Sequence, residues 1–230
     1  MKKFLLVIFL SASFYVSFAQ EITKLSPTKE QSFEAKYVAG LLGRYHYKKT
    51  AIDDELSKIM FESYIKTLDA NKSYFLQDDI YYLSRFETRL DDHIIIGYLL
   101  SAYEIFNTFR DRFKERMEFI DREIDFQFDY SKDEYLVINS DSMDYAKNQE
   151  ELDDRWRKMI KSQALDLKLD GKADTAITKL LKERYERLNE IISDYESRDV
   201  FQLYMNNFAE SFDPHTSYFS PITSENFQIR

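Results

Sequence analysis

The stretch AYEIFNTFRDRFKERMEFIDREI, residues 102–124, decides the fold class. Its apolar residues Ala102, Phe106, Phe109, Phe113, Met117, Ile120 and Ile124 recur at steps of three and four. That is the period of one face of a long helix. The seam covers about three heptads, which suits packing inside a bundle within one chain better than a coiled coil between chains.

The same period continues outward on both sides. Thr28 with Gln31 reads as a capping box, followed by a helix with Phe33, Tyr37, Val38, Leu41, Leu42 and Tyr45 on its inner face. Gly40 and Gly43 cost this helix propensity, so they point to close packing. Asp53 and Asp54 open a second helix with Leu56, Ile59, Met60, Ser63 and Tyr64 on one side, acids in a first turn suiting the helix dipole. Asp69 to Leu76 reads as a loop. Gln77, Asp78 and Asp79 start a third helix carrying Ile80, Leu83, Phe86 and Leu90, and Gly97 punctuates the next turn.

Beyond the long helix, residues 129–147 break the pattern, and Glu134 to Asn139 (EYLVIN) reads as a short strand without a partner. Asn148 with Glu151 caps a helix with Leu152, Trp156, Ile160 and Leu167 inward, and Gly171 marks the turn after it. Ile177, Leu181, Arg184, Leu188, Ile191 and Tyr195 mark another helix. Asp199 with Gln202 caps the last, which carries Phe201, Tyr204, Met205 and Phe208, and Pro214 and Pro221 end helical structure. The expectation is an all-α, multi-helix domain, with two helical lobes divided near residue 140 as an open alternative.

Composition agrees. Only 4 Gly and 3 Pro in 230 residues are too few turn residues for an all-β fold. A hydrophobic content of 44% supports one sizeable core or two small ones. Cysteine is absent, which excludes disulfides, thiolate chemistry and lipidation through an N-terminal cysteine. The net charge of −9 repels phosphate backbones and argues against a nucleic-acid partner.

The N-terminus has the layout of an export signal. Lys2 and Lys3 precede an apolar run from Phe4 to Phe18, and Ser17-Phe18-Ala19 places small residues at a cleavage site before Gln20. The run is shorter than the ~20 residues a spanning helix needs. Residues 1–19 are therefore expected to be cleaved after Ala19, leaving no stable membrane anchor, and residues 20–27 read as a linker.

Chemistry is hard to find. Asp213-Pro214-His215-Thr216-Ser217, with Ser220 close by, holds the residue types of a serine-protease triad. Groups this close in one turn do not converge as a triad must, and no G-x-S-x-G is present. His46, His93 and His215 fall in no metal-ligand spacing. Asp166 to Ile177 has part of a calcium loop, but Lys168 occupies a ligand position and Ile177 replaces the terminal Glu. Of the acid pairs Asp53-Asp54, Asp78-Asp79, Asp91-Asp92 and Asp153-Asp154, two open helices, where capping accounts for them. No catalytic, cofactor-binding or metal residue is assigned.

Four stretches carry a resemblance. Phe208-Ala209-Glu210-Ser211-Phe212-Asp213-Pro214-His215-Thr216-Ser217-Tyr218-Phe219-Ser220-Pro221 resembles the hallmark near the end of the N-terminal domain of tail-specific, or carboxy-terminal processing, proteases. Leu68 to Leu76 resembles that family's LD-x-N-[KR]-x-YF loop. His46-Tyr47 resembles an HY pair ending its first helix, and Glu151 to Lys158 resembles the stretch opening its later helices. All four come in the family's order.

The resemblance implies a helical N-terminal domain followed by a PDZ domain and a periplasmic peptidase core with a Ser nucleophile and a Lys base. The PDZ domain would capture apolar C-terminal tails. None of those later parts lies in these 230 residues, so no position inherits a catalytic role. Residues 20–222 are expected to form the helical domain, and 223–230 to begin a linker to the PDZ domain. The expected partners are the downstream PDZ and peptidase domains, with protein substrates or an envelope adaptor beside them. The alternatives are a standalone exported binding module without peptidase activity, and an unrelated enzyme with a site assembled from distant residues.

Overall fold

The computed structural model describes residues 23–125 and 128–220. Among them lie eight α-helices: α1 (Lys29–Tyr45), α2 (Asp54–Leu68), α3 (Gln77–Leu83), α4 (Leu90–Ile96), α5 (Leu100–Glu123), α6 (Gln149–Leu169), α7 (Asp174–Ser193) and α8 (Ser197–Phe212). No strand forms among the described residues. The EYLVIN segment is irregular, because no neighbouring strand takes up its backbone groups. The expected export signal, Pro221 and the linker 223–230 lie outside the described residues.

Local signals place most helix starts. Thr28 and Gln31 form the expected reciprocal capping box on α1. The Asp53 carboxylate accepts from the Glu55 and Leu56 N–H groups, both at 3.2 Å, at the start of α2. Asn148 accepts from Glu151 N–H at the start of α6. The last helix begins earlier than expected, with Glu196 as its cap, and Asp199 reaches back to the Glu196 N–H. The expected third helix is two elements. α3 stops at Leu83, a 3₁₀ turn over Ser84–Phe86 follows, and α4 starts at Leu90. Gly97 ends α4 in the left-handed conformation, φ 77°, which glycine adopts without strain.

Two apolar cores hold these helices. The first is built from α1, α2, α4, α8 and the N-terminal half of α5, around Met60, Tyr64, Phe75, Phe106 and Phe208. The second joins the C-terminal half of α5 to α6 and α7, around Ile120, Trp156, Ile160, Ile177 and Leu181. The division is not a cut near residue 140. α5 runs through both cores, Tyr74, Met117 and Leu188 pack against both, and α8 returns to the first. A fully buried phenylalanine such as Phe106 contributes roughly 2–3 kcal/mol by leaving water.

The inner face of α1 is the expected one only in part: Val38 and Leu42 pack against the first core. Gln31, Ala35 and Ala39 are buried, whereas Phe33, Tyr37, Leu41 and Tyr45 are exposed. Small side chains let α4 approach closely: a Cβ on Gly97 would lie 2.3 Å from the Ser32 carbonyl oxygen. Gln31 also meets the Tyr103 hydroxyl at 3.0 Å. Burial pushes that hydroxyl up to about 12, and it donates to the Ser197 carbonyl at 2.7 Å, tying α1, α5 and α8 together.

Candidate functional site

The residues that stood out in the sequence meet in two places. At the first, the end of α1 meets the exit from α8. α8 ends at Phe212, and Asp213 leaves it in extended backbone. Asp213 Oδ1 accepts from the His215 N–H at 2.9 Å, closing an Asx turn over Pro214. Its other oxygen, Oδ2, accepts from the Tyr47 hydroxyl at 2.6 Å and from Lys48 Nζ at 2.5 Å. Lys48, Tyr47 and the His215 N–H hold the Asp213 carboxyl well below the usual carboxylate range. Asp213 in turn raises both Tyr47 and Lys48.

His46 completes this clasp. Its Nδ1 accepts the Lys48 N–H at 3.3 Å, which leaves the proton on Nε2, and Nε2 donates to Thr216 Oγ1 at 3.0 Å. The ring also meets Phe212 edge-on at 5.3 Å. The Asp213–His215 contact is therefore to the backbone, and the carboxylate is taken up by Lys48 and Tyr47. A triad would need that carboxylate on an imidazole N–H.

At the second place, the loop after α2 meets the first turns of α6. The buried Asp69 carboxylate accepts three backbone N–H groups, Ser73 at 2.7 Å, Tyr74 at 2.9 Å and Phe75 at 3.0 Å. Burial pushes this carboxyl up, against those three N–H groups and Arg155. The loop so shaped turns its carbonyls to α6. Arg155 donates to Lys72 O and Trp156 Nε1 to Ser73 O, each at 2.5 Å. Lys72 sits at φ 49°, a conformation of order 1–3 kcal/mol above the ordinary one. Its side chain is held by the Met143 carbonyl at 2.6 Å. The Tyr74 ring packs against Phe109, Phe113 and Trp156, so this loop joins α2, α5 and α6.

The remaining candidates stay apart. His93 Nδ1 pairs with Ser101 Oγ at 3.0 Å, and burial lowers its pKa. Asp79 accepts from Leu76 N–H and from Arg112 in bidentate fashion, and Asp153 pairs with Arg116. In the calcium-like segment, Lys168 Nζ sits 2.7 Å from Asp174. Among the described residues no cluster of His, Cys, Asp and Glu is placed to hold a metal ion, and no helix is long and apolar enough to cross a membrane. A cleft of about 490 Å³ lies between α5 and α7, with Phe113, Met117, Ile120 and Ile192 in its wall and Lys114 and Lys182 beside them. Sequence reasoning did not find it, because helical period marks a face and not the gap between two.

Two clasps, each joining segments far apart in sequence, define a helical domain whose conspicuous residues hold its own elements together. The family model for the tail-specific protease N-terminal domain matches residues 38–222, and the chain belongs to that family. It is also similar to the tail-specific protease of Haemophilus influenzae, 30% identical over 201 residues. That match covers 87% of this chain and 29% of the relative, so the chain spans under a third of the relative's length.

Proposed function

We propose that this chain is the helical, non-catalytic N-terminal portion of an exported, periplasmic tail-specific serine endopeptidase, which takes part in proteolysis of proteins through their C-termini. One observation carries the reading. The hallmark Asp213-Pro214-His215-Thr216 turn spends its carboxylate and hydroxyl on Tyr47, Lys48 and His46, which is what a structural hallmark does. The function of the portion is then to flank the peptidase core and help admit unfolded substrate. The domain is read as residues 20–222, after a signal peptide cleaved at Ala19.

An immunoblot of cells with an antibody raised to residues 20–230 tests this. The expected band is much larger than 27.6 kDa, and the chain made alone should leave an unfolded protein uncut. A band at or just below that mass, or cleavage by the chain alone, would overturn the reading. The second reading, a standalone exported binding module, is favoured by the exposed aromatic residues of α1 and would take the lead with the small band.

A further inference from the structure

The face of α1 turned away from the cores carries Phe33 (74% exposed), Tyr37 (61%), Leu41 (40%) and Tyr45 (69%). Spaced by four, they lie along one side of the helix. They leave roughly 500 Å² of largely apolar surface in water, comparable with the largest patch on a typical monomer. Gly40 adjoins them, and a Cβ there would meet nothing within 4 Å. Gly43, by contrast, packs under Ile52, and Gly97 against Ser32. Nothing among the described neighbours requires glycine at position 40, where it weakens the helix; close approach of another backbone would.

The stripe is bracketed. Gly97 lies against Ser32 and Lys36 on one flank, and the Tyr218 hydroxyl donates to Glu34 at 2.6 Å on the other. Asp213 is held at Tyr47 and Lys48, just past the end of α1, so residues 213–218 run back along the helix beside the stripe. Residues 213–218 thus pass beside this face.

We propose that the Phe33–Tyr37–Leu41–Tyr45 stripe is the docking face for the folded polypeptide that follows residue 230 in the intact protein, with Gly40 at the closest backbone approach. This rests on the reading of the chain as the N-terminal part of a longer protease. Area favours a tethered occupant over a second copy. A stable free interface buries about 800 Å² per partner, more than the stripe offers. A covalently attached domain arrives at millimolar effective concentration and needs less.

Hydroxyl-radical footprinting tests it, comparing the chain made without residues 1–19 with the intact polypeptide isolated from cells. Buried Tyr64 and Tyr204 report that both are folded. Phe33 and Tyr37 should be oxidised readily in the short chain and several-fold more slowly in the intact one. Gly40→Trp in the intact protein should restore their oxidation. Equal oxidation in both proteins, or a Gly40→Trp variant that keeps full protection, would overturn the docking face alone. Protection that grows with concentration of the short chain would replace the downstream domain with a second copy. An intact protein no larger than 27.6 kDa would overturn this proposal and the reading beneath it together.

Discussion

The Tyr47 hydroxyl donates to Asp213 Oδ2 at 2.6 Å across 166 residues of sequence. With Lys48 on the same oxygen and His46 on Thr216, that contact fastens the end of the first helix to the exit of the last. The loop at Asp69 does the same for α2 and α6. Both clasps use side chains whose types also suit catalysis, and in both the geometry spends them on the fold.

Asp69 is the most sensitive position in the second clasp. Asp69→Ala would strand three backbone N–H groups, two of them on buried residues. Each unsatisfied buried group costs about 1–3 kcal/mol, so a loss of at least ~2 kcal/mol is expected in urea unfolding. Asp69→Asn keeps one acceptor oxygen and should cost clearly less.

Trp156, the sole tryptophan, is buried with its indole N–H on the Ser73 carbonyl. Trp156→Phe keeps much of the packing and loses that bond, for an expected cost of about 1–2 kcal/mol. Trp156→Ala should cost about 3–5 kcal/mol. Far-UV circular dichroism in denaturant reads both.

Two glycines should respond with opposite signs. Gly40→Ala enters open space in a helix and should stabilise the isolated chain by about 0.5–1 kcal/mol. Gly97→Ala has φ 77° and a Cβ 2.3 Å from the Ser32 oxygen. It should destabilise by more than ~2 kcal/mol through strain and lost packing of α1 on α4.

Acid should act on the second core through Glu134. Arg157 and Lys161 hold its carboxyl down at about 2, against about 4.3 in an unfolded chain. A depressed acid contributes stability above its unfolded pKa and loses it as pH falls through the folded one. The contribution is therefore full above about pH 4.3 and fades toward the value near 2. Glu134→Gln should flatten the pH dependence of stability over that window, as read by denaturant midpoints.

Much of the fold was legible in sequence, unevenly. The α5 seam is correct because its large residues face a core on both halves of the helix. α1 misled in part because both its sides are apolar: Val38 and Leu42 pack inward as expected, but Phe33, Tyr37, Leu41 and Tyr45 point outward, while Ala35 and Ala39 pack where helices come close. Helical period weighs size and cannot see that smallness is what the contact needs. The break at Ser84–Phe86 was hidden because Leu83, Phe86 and Leu90 keep a helical spacing across it. The clasps were visible as motifs and not as pairs. Spacing along the chain carries no sign that Asp213 meets Tyr47, or that Trp156 meets Ser73.

The most direct measurement is a double-mutant cycle on the first clasp, with urea unfolding of the parent chain, Tyr47→Phe, Asp213→Ala and the double variant. If the hallmark aspartate is a structural clasp closed on Tyr47, each single change destabilises and the double variant is less destabilised than their sum. Additive losses, or an Asp213→Ala chain as stable as its parent, would contradict it.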